Sequence, residues 1–197
     1  MSDKYSPGRY GWNDVGKLES TLVSFERRIL DPFITPYIFG YTLNVGCGPD
    51  KRGDVRLDVE ETEATTIIGN ACDLPFPSDY FDTVMIIGVL HHISDYEKAI
   101  SEACRVSRMY VVGREPNILS PHVCTIRHFL GFEGECPIYI PKAKRVFKNH
   151  RLVLRAESWD YGFKLFGTVT KKHDFFYRLD PLVPRELRAF WSYVYVK

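Results

Sequence analysis

The apolar residues of this chain fall into short runs divided by turn-forming residues. Thr42 to Val45 (TLNV) is followed by Gly46-Cys47-Gly48. Val55 to Val59 forms a second run that carries Asp58 near its end, and Ala64 to Ile68 a third. Thr83 to Leu90 is the most apolar stretch, and Met109 to Gly113 is a fifth run. Near-continuous apolar runs of this length predict strands buried on both faces, as at the centre of a parallel sheet. Between them the period changes. Ser94 with Glu97 reads as a capping box for a helix that turns Ala99, Ile100, Ala103, Cys104 and Val106 inward. Leu18, Leu22, Phe25 and Ile29 share one face of a helix over about Val15 to Leu30, stopped by Pro32 and Pro36. Further helices are predicted over Pro121 to Leu130 and Lys142 to His150. Strands are predicted over Leu152 to Trp159 and Phe190 to Val196. The pattern is α/β, a doubly wound and mostly parallel sheet in one domain. Residues 1–40 read as an arm and a helix that packs over the sheet, and 41–197 carry the sheet.

The first unit is unusual. Only Pro49 to Asp54 separate the glycine turn from the second strand, whereas a crossover helix needs about ten or more residues. Parallel strands here would need an extended or single-turn connection. Open parallel sheets bind ligands at the carboxyl edge. Gly46 and Gly48 allow a ligand near the backbone, with the amides able to face it. Asp58 offers two acceptor oxygens, which suit the vicinal hydroxyls of a ribose. At a strand end, its replacement should disturb the fold little. A dinucleotide fingerprint would need a third glycine where Lys51 stands, and Asp50 would repel a pyrophosphate. A nucleoside cofactor without a phosphate fits better than NAD(P).

Gly46-x-Gly48, then GNACDLPFPSDYFDTV, GVLHHI and EACRV in that order, resemble the class I S-adenosylmethionine-dependent methyltransferases, most closely the type 11 pattern. The similarity covers roughly residues 41 to 117. It implies a Rossmann-like fold of the class I methyltransferase type, with a hairpin of the last two strands at one sheet edge. It implies S-adenosyl-L-methionine as cofactor, held by Gly46, Cys47 and Gly48, by Asp58 at the ribose, by Asn70 and Ala71 at the adenine, and by Gly88 near the methionine portion. It also implies that the N-terminal element covers the pocket, where Tyr10 and Trp12 are candidates. Three features depart from the family. Asn70 stands where an acid is usual and accepts without charge assistance. Ser107-Arg108 replace the usual glycine turn, and the first crossover helix is missing.

Composition narrows the rest. The chain has 197 residues, 45% hydrophobic and 26% charged, with a formal net charge of +1. That gives no field favouring nucleic acid or an anionic membrane. Five cysteines without a C-x-x-C pair indicate reduced thiols and a cytoplasmic location. The first residues are polar, with no signal-peptide core, and no apolar run reaches spanning length. Methyl transfer from a sulfonium depends mainly on alignment and desolvation, and a base is needed only when the nucleophile must lose a proton. His91, His92 and Glu115 are the candidates for that base. As successive strand residues, the two histidines would point oppositely. No third histidine stands at ligand spacing, so no metal is expected. The basic cluster Lys142, Lys144, Arg145, Lys148, His150 and Arg151 is a solvated helix face or an anion contact. The aromatic stretch from Tyr161 to Tyr177 suits core or lid packing. Together these favour a small-molecule acceptor. A catalytically silent binding or scaffold domain and an RNA methyltransferase are the alternatives.

Overall fold

The structure is a computed structural model that describes residues 33–121, 138, 140–143, 145–147, 151–157, 184–188 and 190–197. The helix expected over Val15 to Leu30, the aromatic stretch Tyr161 to Tyr177, and all of Pro121 to Leu130 except Pro121 lie outside these residues; of the helix expected over Lys142 to His150, residues 142, 143 and 145–147 are described, and the helical turn there is Ile140–Ala143. Among the described residues the strands are β1 (Thr42–Val45), β2 (Val55–Asp58), β3 (Ile67–Ile68), β4 (Phe81–Ile87), β5 (Ser107–Pro116), β6 (Arg151–Glu157) and β7 (Phe190–Val196). They form one sheet in the order β3-β2-β1-β4-β5-β7-β6. β1 to β5 pair in parallel. β7 runs antiparallel to both β5 and β6, which places a β6–β7 pair at one edge.

Alternation along the strands builds two cores, because successive side chains point to opposite faces. Leu43, Val45, Val84, Ile86, Val111 and Tyr193 bury one face beneath helix α1 (Tyr96–Val106), which contributes Ala99, Ile100, Ala103 and Val106. Met85, Val112 and Val194 bury the other, closed by Ile34 just before a 3-10 turn at Thr35–Tyr37. Gly113 in β5 is required by this packing. A Cβ there would stand 2.2 Å from the Tyr193 hydroxyl and 2.4 Å from the Ile86 carbonyl oxygen.

The short crossover is real, and the strands on either side of it stay parallel, with Leu43 opposite Val55. Side-chain hydrogen bonds do what a packed helix normally does. Asp54 accepts from the Thr42 amide and hydroxyl, both at 2.8 Å, and its own amide donates to the Thr42 hydroxyl at 3.0 Å. Asn44 donates to the Arg52 carbonyl at 3.2 Å. The Arg52 guanidinium grips both oxygens of Asp50, so the charge expected to repel a phosphate is already neutralised. The β2–β3 connection is also helix-free, pinned by Thr62, Thr65 and Arg56, whose Nε donates to the Ala64 carbonyl at 2.6 Å.

Several boundaries differ from the sequence expectation. β3 has two residues rather than the five of Ala64 to Ile68. β4 ends at Ile87 because Gly88, at φ 65°, turns the chain. β5 extends to Pro116 because β7 pairs along its whole length. Asp95, not Ser94, caps α1, its carboxylate accepting from the Lys98 amide at 3.1 Å. Either residue has the chemistry for a cap, and the 3-10 turn before α1 decides which one is placed to use it.

Candidate functional site

Parallel strands bring the carboxyl ends of β2, β1, β4 and β5 to one edge, and with them Asp58, the glycine turn, Gly88 and Glu115. At the glycine turn the amides are already committed. The Gly46 and Cys47 amides both donate to the Leu57 carbonyl, at 2.7 and 3.2 Å, and the Gly48 amide donates to Asp58 Oδ2 at 2.7 Å. The expectation that the amides face a ligand is therefore corrected: they tie the turn to the end of β2. The physical reason is the missing crossover helix, since β2 follows so closely that its end caps the turn. Gly46 is glycine for a packing reason, because a Cβ there would stand 2.5 Å from a Val89 methyl. A pyrophosphate would need several unspent amides, so this turn disfavours a dinucleotide on stronger grounds than glycine spacing. A ligand without phosphate needs only close approach.

Asp58 is buried. Its Oδ2 accepts from Gly48, and its Oδ1 accepts from the Glu60 amide at 3.1 Å. A carboxylate has about four acceptor positions, so two remain for hydroxyl donors. Across the edge, Gly88 has φ 65°, and a Cβ added to it would meet nothing within 4 Å. The backbone there borders open space, the local condition a ligand needs. These two residues fit the cofactor that the sequence implies.

Asn70 is exposed, and its Oδ1 accepts from the Cys72 amide at 2.8 Å in an Asx turn beside buried Ala71. Its amide oxygen thus has local work, with one acceptor position left. Cys47 is buried, its Sγ 3.8 Å from the Thr65 hydroxyl. Elsewhere burial pushes the Cys104 thiol up to about 12, so it stays protonated near neutral pH.

The three candidate bases separate in role. His91 and His92 do not alternate on a strand. They sit on a 3-10 turn, Leu90–His92, with ring centroids 4.0 Å apart. His91 is buried and His92 exposed. Glu115 is fully buried beneath this turn. Its Oε1 accepts from the Val89 and Leu90 amides, each at 3.0 Å, and its Oε2 lies 2.7 Å from His91 Nδ1. Burial also holds the Tyr193 hydroxyl well above its ordinary pKa, with the Glu115 charge adding to the effect.

Two residues near the edge were not among the site candidates drawn from the sequence. Asn117, fully buried after β5, donates to the Glu186 and Arg188 carbonyls at 2.8 and 2.7 Å and fastens the turn before β7. Arg114 is buried with its guanidinium carbon 4.2 Å from the Phe190 ring centre. The signal for both was present in Arg114-Glu115-Pro116-Asn117, where polar residues continue a central strand.

Comparison with known proteins agrees with this architecture. Residues 48–109 match the family model for the methyltransferase domain. An S-adenosylmethionine-dependent methyltransferase from Archaeoglobus fulgidus has the same fold at TM-score 0.61 and 16% identity, over 92% of this chain and 95% of that one. One from Thermotoga maritima, described as a possible histamine N-methyltransferase, aligns at TM-score 0.55 and 13% identity, over 91% and 89% of the two chains. The phosphoethanolamine N-methyltransferase 2 of Haemonchus contortus, solved with S-adenosyl-L-methionine, aligns at TM-score 0.54 and 12% identity, over 83% of this chain and 51% of that one. No curated protein sequence matches the chain. The sheet order and the solved structures define the fold: it is that of the class I S-adenosylmethionine-dependent methyltransferases, and within it residues 48–109 are similar to the methyltransferase-domain family.

Proposed function

We propose that the chain transfers a methyl group from S-adenosyl-L-methionine to a small-molecule acceptor. The observation that carries the reading is the pairing, at one sheet edge, of a buried, backbone-anchored Asp58 with the open backbone at Gly88. Asp58 receives the ribose hydroxyls, Asn70 and Ala71 flank the adenine, and Gly88 lies by the methionine portion. When bound, the cofactor supplies an electrophilic methyl on a sulfonium. The chain's part is to align the acceptor behind that methyl and to exclude water.

A net charge of +1 supports a small acceptor, because a nucleic-acid substrate calls for an extended basic track. Two of the similar structures carry names of small-amine methyltransferases, which agrees with this choice. Among the described residues no helix is long and apolar enough to cross a membrane, and we place the protein in the cytoplasm. The silent-scaffold alternative draws on Asn70, whose acceptor is uncharged and already used within its own turn. The test is incubation with tritium-methyl-labelled cofactor and, separately, the small-metabolite fraction of a cell extract and bulk RNA. Label in the metabolite fraction is expected. Label in RNA stripped of metabolites would overturn the acceptor class, and cofactor binding without any label would favour the scaffold.

A further inference from the structure

We infer that Glu102 and Arg105 are positioning residues for the cofactor's adenine. From one flank of α1 they hold the backbone of the loop that carries Asn70 and Ala71, and selectivity for the adenine base depends on that hold. The inference rests on the methyl-transfer reading and deepens it: recognition of the base is set in part by a helix that acts through the loop.

The loop has little of its own to fix it. Residues 69–80 connect the two-residue β3 to β4 and form neither helix nor strand, apart from a bridge between Asn70 and Asp73. Its internal bonds shape the turn: the Asp73 amide donates to the Asn70 carbonyl at 3.0 Å, and the Cys72 amide to Asn70 Oδ1 at 2.8 Å. The Gly69 amide, on the Asp58 carbonyl at 2.8 Å, fixes where the loop starts. Beyond that point α1 supplies the partners. Glu102 Oε2 accepts from the Leu74 amide at 2.9 Å, and the Arg105 guanidinium donates to the Leu74 carbonyl at 3.0 Å and the Phe76 carbonyl at 2.7 Å. The Cys72 thiol donates to the carbonyl of Asp95, which caps α1, at 3.4 Å. The Asp79 and Tyr80 amides donate to the Arg105 and Val106 carbonyls, each at 2.9 Å. The loop therefore runs alongside α1 from its first turn to its last.

Glu102 and Arg105 stand three residues apart and are neighbours on the helix surface. Arg105 Nε and Nη2 each meet a Glu102 oxygen at 2.7 Å, which sets the plane of the guanidinium against the loop. Those bonds hold the Glu102 carboxyl below its ordinary pKa, so near neutral pH it is ionised and only accepts. A planar fork serves a carboxylate and two carbonyls at once, whereas an ammonium is a point charge without that geometry. Leu74 and Ala71 are buried in the same core, and the Asn70–Asp73 bridge joins the clamped backbone to Asn70. Loosening Leu74 and Phe76 therefore moves the two residues that flank the base.

The test compares calorimetric Kd values of the full chain for S-adenosyl-L-homocysteine and for its inosine analogue, in which a carbonyl replaces the amino group of the base. The wild-type chain should favour the adenine form by roughly tenfold or more, because the analogue leaves a polar group of the site unpaired. Arg105→Lys keeps the charge but loses the fork and should cut that ratio about threefold or more. Glu102→Ala, which also strips the Leu74 amide of its acceptor, should cut it further. Added to Asn70→Leu, Arg105→Lys should weaken S-adenosyl-L-homocysteine by less than about twofold, since both changes act on one contact and their effects do not add. Val194→Ala, a core change on the opposite face of the sheet, separates this from general destabilisation: it should lower the urea midpoint and leave the ratio unchanged. A wild-type ratio near one, a ratio unmoved in Arg105→Lys and Glu102→Ala, or a ratio that falls as far in Val194→Ala would each overturn the inference. A wild-type chain that binds neither ligand instead overturns the methyl-transfer reading itself.

Discussion

Replacing Asp58 by alanine should do two separable things. The side chain is buried and accepts from the Gly48 amide at 2.7 Å and the Glu60 amide at 3.1 Å. Alanine strips both acceptors. Gly48 is buried and keeps the full desolvation penalty of an unmet amide, about 1–3 kcal/mol, while half-buried Glu60 recovers part of its loss from water. The ligand-free protein should lose about 2–3 kcal/mol, a sizeable part of the ~5–15 kcal/mol typical of a domain. Urea unfolding without cofactor should show a lower midpoint at unchanged slope. Cofactor affinity should fall further, by about 2–4 kcal/mol for two charge-assisted bonds less partial resolvation, or roughly 30- to 1,000-fold in Kd. A wild-type unfolding midpoint in Asp58→Ala would refute the anchoring role. The sequence alone suggests a strand-end residue whose replacement disturbs the fold little; the two backbone amides it accepts from add an expected cost in stability.

Other outcomes follow from the same geometry. Gly88→Ala places a Cβ in open space but at φ 65°. Stability should fall by about 1–2 kcal/mol from backbone strain, with a larger relative loss in calorimetric cofactor affinity; equal affinity would remove the ligand from that position. Asn70→Asp preserves the Asx turn to Cys72 and should bind cofactor equally or more tightly. Asn70→Leu should bind less tightly, and loss of binding in Asn70→Asp would show that the side chain donates rather than accepts. Acid should unfold the protein in a defined window. Glu102 is held below its ordinary 4.5 chiefly by hydrogen bonds from Arg105, and Asp54 below 3.8 chiefly by the Thr42 hydroxyl. Carboxyls lowered on folding contribute stability above their unfolded values and lose it as pH falls through the folded ones. The unfolding free energy should hold steady from neutral pH down to about 5 and decline below that. Glu102→Gln should shallow the decline.

The central strands were legible because burial on both faces forces uninterrupted apolar runs. β1 and β7 begin and end where those runs do. The absent first crossover helix was legible too, since Pro49 to Asp54 cannot span one. Less visible was what the chain does instead of a helix. Thr42, Asn44 and Asp54 are ordinary polar residues in sequence, and their mutual bonds follow only from the register of β1 on β2. The same holds at the site. Two glycines and an acid advertise a ligand edge, but whether their amides face outward depends on how close β2 comes, and here it comes close enough to take all three. The two histidines read as a strand end because Val89 and Leu90 are apolar. Glu115, 24 residues later in sequence, draws those amides into a turn and separates the rings into one buried and one exposed. Tertiary pairing of that kind leaves no local signal.

The most direct measurement is calorimetric titration of the purified chain with S-adenosyl-L-methionine, its demethylated product and NAD in parallel. A turn whose amides are spent on the end of β2, with Asp58 at the same sheet edge as the open backbone of Gly88, should bind the first two at a single site and show no heat with NAD. Binding of NAD alone would contradict the account, because a pyrophosphate could be held there only if the Gly46, Cys47 and Gly48 amides were free to receive it.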